Sequence, residues 1–237
     1  MTPVNRASNI RWMKTSHIMV IDPAVKKPEL AAFNWLAKRS PLPLTYHLPA
    51  LHGMKSIKKD DSQAIAGIII FGSLSSVNER TPWQMALEEW LMPQLEKQTP
   101  TLGFCYGHQM LAHMFGGKVD YVFPDQKKHV GLRQVSFSSD SLWGNQPLQG
   151  LLCVSHNEEV KVVPEAMTVI GKSAEVPVDA LRHRTLPVWS FQSHPEAGKD
   201  FLAIRGGASG ELGDHELEFG YQLIARFLNW VIKETSK

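Results

Sequence analysis

Residues Ala64 to Phe71 read AIAGIIIF, eight positions without a polar side chain. A strand with one face in water alternates polar and apolar residues. A run that is apolar throughout fits a strand covered on both faces, as in parallel sheets flanked by helices. His17 to Asp22 (HIMVID, closed by Pro23) and Thr101 to Phe104 have the same texture, and Leu44 to Leu48 and Val188 to Gln192 are further strand candidates. Helical spacing appears between them. Pro28 to Lys38 can turn Leu30, Phe33, Trp35 and Leu36 inward, and Pro82 to Glu96 offers Trp83, Met85, Leu87, Trp90 and Leu91, with Pro93 expected to end or kink it. Tyr106 to Phe115 follows a strand directly. Strand alternating with helix predicts an α/β fold with an open, mostly parallel sheet and helices on both faces. From Val119 to Val163 the texture shifts to short β pieces (VGLRQVSF, LLCVSH, VKVV) divided by turn residues, a small antiparallel section. Phe201 to Gly213, with four glycines, reads as a loop, and Glu216 to Lys233 as a closing amphipathic helix.

Length and charge narrow the function classes. The 237 residues carry no internal repeat or clear linker, so a polar lead-in over 1–15 with the character of a mobile terminus and one domain over 16–237 are expected. Twenty-five basic against 23 acidic residues leave a net charge of +2, without the basic excess that nucleic-acid binding requires. No apolar stretch approaches the roughly 20 residues of a membrane span. Two cysteines, Cys105 and Cys153, suit a reducing compartment rather than a disulfide framework. The expectation is a cytoplasmic protein with no nucleic-acid or membrane partner.

Two segments carry chemistry. In Gly103-Phe104-Cys105-Tyr106-Gly107 a cysteine stands where a strand turns into a helix, flanked by glycines two residues away on each side. This G-x-C-x-G arrangement is the thiol counterpart of the G-x-S-x-G elbow, in which a sharp turn lifts the nucleophile out of the sheet. The helix start also presents the positive end of its dipole and free amide protons to the sulfur. Gln109, four residues on, shares a helix face with Cys105 and can hold the polar end of a substrate. The second segment, Gln192-Ser193-His194-Pro195-Glu196, delivers a histidine beyond a strand end, where open α/β sheets bind ligands. Glu196 follows closely enough to orient the imidazole. The acid follows the histidine, unlike the order in α/β-hydrolases. Cys153 and His156 have C-x-x-H spacing, but no second pair completes a metal site, so no metal or cofactor is expected. Lys55, Lys58 and Lys59, and Lys127 and Lys128, read as solvated loop lysines.

Together GFCYGHQ, VSHNEEV and SFQSHPE resemble the motif set of the class I (triad) glutamine amidotransferases, in order and over most of the chain. The nearest likeness is to stand-alone members similar to the amidotransferase part of GMP synthase. The resemblance implies a flavodoxin-like sheet and a catalytic set of Cys105, His194 and Glu196. It implies an oxyanion hole from the amide of Tyr106 and an amide of the Gly72–Ser73 loop, and substrate contacts from Gln109 and from the backbone around Ser155 and His156. It implies glutamine as substrate, with ammonia passed to a separate synthetase subunit. A γ-glutamyl amide or peptide hydrolase without an ammonia acceptor is the alternative, and a non-catalytic regulator on the same fold is a third reading. Two positions depart from the family pattern. Gly72-Ser73-Leu74 replaces Gly-Gly-Pro, and Asn157-Glu158 follows Ser155-His156 where Gly or Asp is usual.

Overall fold

The computed structural model describes residues 16–59, 65–207 and 212–235. The proposed lead-in over 1–15 lies outside the described residues, as do Ala64 and Gly210. Eleven strands are present among the described residues: β1 His17–Ile21, β2 Leu44–His47, β3 Ile65–Ile70, β4 Thr101–Phe104, β5 Lys118–Tyr121, β6 His129–Phe137, β7 Leu148–His156, β8 Glu158–Val162, β9 Met167–Lys172, β10 Ala180–His183 and β11 Val188–Phe191. The helices are α1 Leu30–Ala37, α2 Pro49–His52, α3 Lys55–Lys59, α4 Pro82–Glu96, α5 Tyr106–Met114, α6 Phe201–Ile204 and α7 Asp214–Thr235.

Nine strands form one sheet in the order β2-β1-β3-β4-β11-β10-β9-β6-β7. The first five pair in parallel. From β11 onward each neighbour is antiparallel. The expected antiparallel section thus extends the parallel sheet, and β5 and β8 pair separately. The continuous apolar runs are explained by two cores. Ile18, Val20, Ile69 and Phe71 face Leu36 of α1 and Leu223, Ile224 and Phe227 of α7. Their neighbours Met19, Ile21, Ile68 and Ile70 face the opposite way, against Leu87, Leu91 and Leu95 of α4 and Met110 and Leu111 of α5. Alternation along each strand feeds both layers, so every position must be apolar.

Several expectations are corrected. Leu30 and Met85 are exposed (54% and 46%), while Ala32, Gln84 and Gln94 occupy buried positions on their helices. Helix α4 continues through Pro93 to Glu96. A proline this late in a helix forfeits one backbone hydrogen bond without ending it. Its start follows ordinary chemistry, with Pro82 in the first turn and a capping box between Thr81 and Gln84. Phe201 to Ile204 is a short helix rather than loop, closed by Gly206 at φ 79°. Strands β5, β9 and β10 and helices α2 and α3 had no counterpart in the sequence reading.

Candidate active site

Cys105 is where β4 becomes α5. Its φ and ψ of 47° and −100° lie in a region that a residue with a Cβ rarely occupies, the strain characteristic of functional turns. Two bonds hold it there. Its amide donates to the Phe191 carbonyl of β11 at 2.8 Å, and its carbonyl accepts from the Gln109 amide at 3.0 Å. The flanking glycines are sterically required. A Cβ at Gly103 would sit 2.7 Å from the backbone of Gly107, and one at Gly107 would sit 2.6 Å from the Ile70 carbonyl of β3. The elbow needs β3, β4 and α5 closer together than any side chain permits.

Three residues beyond β11 the chain delivers His194. Its amide donates to the Cys153 carbonyl at 2.8 Å, anchoring it to β7. Its Nδ1 faces Glu196 Oε1 at 2.7 Å, and Phe201 of α6 packs against the ring with centroids 4.7 Å apart. Nδ1 is committed to the carboxylate, so Nε2 is the nitrogen available to the sulfur. Nε2 is buried and has no hydrogen-bond partner. Burial opposes charge on this imidazole, but Glu196 and the Cys105 sulfur outweigh it and push the pKa up to about 9. Gly72 lies close to both the cysteine and the histidine. A Cβ there would lie 2.7 Å from His194 Cε1 and 3.4 Å from Cys105 Cβ. Both side chains therefore meet over the loop that ends β3. Cys153 differs in kind. It is buried in β7 and its thiol is pushed up to about 12 by burial, then by the charges of Glu196 and Glu216.

Two cavities adjoin this point. One, of about 210 Å³, is lined by Cys105, Gln109, Ser155, Asn157 and Glu158 among others. The second, of about 600 Å³, has His194 and Glu196 in its wall and the apolar side chains Leu30, Leu74, Phe201 and Ile204 around it. Gly72 and Ser73 line the larger cavity, and Ser73 borders both. Three residues in these cavity walls carry buried polar atoms without partners: Ser155 Oγ, His194 Nε2 and Glu196 Oε2. Such atoms are uncommon in a folded interior, and in a cavity wall they are free to meet a ligand. Among the described residues, no group of three or more His, Cys, Asp or Glu side chains is arranged to hold a metal ion, and no helix is long and apolar enough to cross a membrane.

Comparison with known proteins identifies the family. The sequence profile described as Glutamine amidotransferase class-I matches residues 44–200. The chain belongs to the class I glutamine amidotransferases. It is 31% identical over 159 residues to one subunit of the glutamine-hydrolyzing GMP synthase of Methanopyrus kandleri, covering 65% of this chain and 81% of that protein. Against the glutamine-hydrolyzing GMP synthase of Thermosipho melanesiensis the identity is 35% over 130 residues, 54% of this chain but only 24% of that longer protein. A crystal structure of a glutamine amidotransferase from Thermotoga maritima shares the fold with a TM-score of 0.71 at 14% identity, covering 92% of this chain and 98% of that one.

Within this amidotransferase the structure brings together Cys105, His194, Glu196, Gly72, Ser73, Tyr106, Gln109, Ser155 and His156. Their side chains are not all available. The Gln109 amide nitrogen donates to the Glu158 carbonyl at 2.8 Å and to Gln192 Oε1 at 3.2 Å. His156 has Nδ1 2.9 Å from the Glu158 carbonyl and Nε2 3.0 Å from Arg133 Nη1, so both its nitrogens are occupied. The departures from the family pattern have local explanations. The Ser73 hydroxyl donates to the Pro23 carbonyl at 2.7 Å and accepts from the Ser75 amide at 3.1 Å. It ties the loop to the end of β1 where a proline would have stiffened it. Glu158 is held by Ser76 Oγ at 2.8 Å, and burial raises its pKa, with Ser76 opposing.

The sequence reading missed Lys128. It borders both cavities, and its ammonium is lowered first by partial burial and then by Arg205, while the Cys105 sulfur acts the other way. A Lys-Lys pair ahead of a strand gives no sign of this, because the position follows from how the loop folds back over the elbow.

Proposed function

We propose that this amidotransferase hydrolyses the side-chain amide of glutamine to glutamate and ammonia, and supplies the ammonia to a separate synthetase chain. In this reading the Cys105 proton already rests on His194 Nε2, consistent with the raised pKa of that ring, and Sγ attacks the amide carbon as the thiolate. The Tyr106 amide and an amide of the Gly72–Ser73 loop hold the developing oxyanion, in the way preorganised donors stabilise such charge. The carbon–nitrogen bond breaks as His194 returns the proton to the leaving ammonia, leaving a γ-glutamyl thioester. Water then adds to the thioester, giving its proton to His194. Collapse releases glutamate and restores the thiol. Glu196 fixes the ring so that Nε2 faces the sulfur, and stabilises the imidazolium.

The observation that carries this reading is the small cavity, which joins the strained Cys105 to Gln109, Glu158 and the backbone of Ser155–Asn157. It offers donors and acceptors for a compact amino acid. A relative named as one part of a divided GMP synthase supports a synthetase on another chain. The test is glutamate release from glutamine by the purified protein, alone and with an ATP-dependent synthetase encoded beside it, with Cys105→Ala as the blank. Glutamate formation that disappears in the variant is expected. A wild-type protein that releases no more glutamate than Cys105→Ala under either condition overturns the proposal.

The larger cavity favours one second reading, a γ-glutamyl amide or peptide hydrolase. Ammonia needs no space of about 600 Å³, whereas an amine with an apolar body would fill it on the His194 side. Cleavage of γ-glutamyl-leucine in preference to glutamine would select this reading.

A further inference from the structure

We propose that Arg133 and Asp179 are positioning residues of the glutamine site, acting through His156 to fix the wall formed by residues 155–158 against the nucleophile helix. The proposal rests on the small cavity being the glutamine site.

The hydrogen bonds form a closed ring. The Gln192 amide donates to the Asp179 carbonyl at 2.7 Å. The Asp179 carboxylate accepts from Arg133 Nη2 at 2.6 Å, and the other guanidinium nitrogen, Nη1, reaches His156 Nε2 at 3.0 Å. His156 Nδ1 reaches the Glu158 carbonyl at 2.9 Å. The same carbonyl accepts from Gln109 Nε2 at 2.8 Å, and that nitrogen returns to the Gln192 side chain at 3.2 Å. The ring runs through β6, the end of β7, the start of β8, α5 and the segment that leads from β11 to His194. It links three groups that the reaction must keep in register: the helix behind Cys105, the substrate wall and the strand that delivers the histidine.

The chemistry fixes the state of each member. Arginine only donates, so His156 Nε2 is an acceptor and Nδ1 carries the hydrogen. The imidazole is therefore neutral, and burial followed by the Arg133 charge holds its pKa well below the usual histidine range. The side chains of Arg133 and Asp179 are 1% and 0% exposed. A buried ion pair of this kind adds little net stability relative to apolar residues of similar shape. The pair is also incompletely satisfied, since Arg133 Nε and Asp179 Oδ2 lack partners. Its distinctive contribution is directional. A guanidinium fork is rigid, and it sets the angle of His156, which in turn sets the carbonyl shared with Gln109.

The test is the double variant Arg133→Met/Asp179→Leu, which removes both charges at once and strands neither. The expected result is a folded protein whose KM for glutamine rises about tenfold while kcat stays within about threefold. Labelling of Cys105 by a glutamine-shaped diazoketone should slow by about the same factor, with iodoacetamide labelling unchanged. Backbone amides of residues 155–158 should exchange hydrogen faster. A folded double variant with wild-type exchange in that segment overturns the proposal, as does one that turns over glutamine with wild-type KM. If the wild-type protein does not hydrolyse glutamine, the functional reading fails separately, and amide exchange still decides the positioning role. Should the double variant not fold, nitrogen chemical shifts of His156 in the wild-type protein decide. A neutral ring protonated at Nδ1 near about pH 7 is expected, and a ring protonated at Nε2 overturns the proposal.

Discussion

In the parallel half of the sheet, β4 and β11 bring Cys105 and His194 to adjacent strand ends. In the antiparallel half, β6 and β7 carry Arg133, Ser155 and His156, which build the wall facing them. Around the nucleophile the parallel half is set by close approach. Its three critical approaches, at Gly72, Gly103 and Gly107, are all closer than a Cβ allows. The antiparallel half owes its geometry to buried polar bonds, with Arg133 and Asp179 at the centre. The reactive atoms are held by close packing together with hydrogen bonds, and the wall facing them is held by a buried polar network.

The largest effect that would test this contrast is on the parallel side. Cys105→Ala should lower kcat for glutamate release by about 10⁴-fold or more, measured by coupled glutamate oxidation. Retention of a tenth of the activity would remove Cys105 from the proposed chemistry. Glu196→Gln should lower kcat by about 10²-fold with a smaller change in KM, because the ring loses its charged orienter. An unchanged kcat would show that Glu196 does not orient His194. Gly103→Ala should destabilise the fold by about 1–3 kcal/mol in denaturant unfolding. An effect near zero would mean that the elbow can open to admit a Cβ, contrary to the steric account.

The pH dependence of stability probes the boundary between the halves. The folded-state pKa of His194 is raised from 6.5 to about 9, so its protonated form stabilises the fold. That contribution is fully present below about pH 6.5 and is lost as pH rises through about 9. Denaturant midpoints should fall across this window, and Glu196→Gln should flatten the fall. A midpoint constant over the window in the wild-type protein would contradict the coupling of His194 to Glu196 and Cys105. The smallest effect concerns the larger cavity. Ile204→Asp should lower kcat/KM for γ-glutamyl-leucine several-fold more than for glutamine. Equal losses on both substrates would count against that cavity as a leaving-group site.

How much could be read beforehand follows the same division. The apolar runs and the glycines around Cys105 are local signals, and they located β1, β3, β4, α5 and the elbow. His194 and Glu196 are legible for the same reason, two residues apart on one strand exit. Strands β9 and β10 were missed because polar residues interrupt their apolar runs, Thr168 and Lys172 in the first and Arg182 and His183 in the second. Lys128 and Arg133 were missed because a cation in a β or loop segment reads as solvent-facing. Only the fold sets Lys128 at the border of two cavities and buries Arg133 against Asp179.

The sequence by itself determined that strands buried on both faces alternate with helices, and that a thiol stands at a turn too tight for side chains. Both follow from covalent geometry and from the period of the apolar residues, which neighbours in the chain specify. The tertiary structure alone decided that Nδ1 of His194 faces Glu196, that both nitrogens of His156 are occupied, and that Arg133 is buried against Asp179. These outcomes depend on burial and on hydrogen-bond partners, some of them many residues away. Desolvation and pairing act through space, so the chain reveals them only once it is folded.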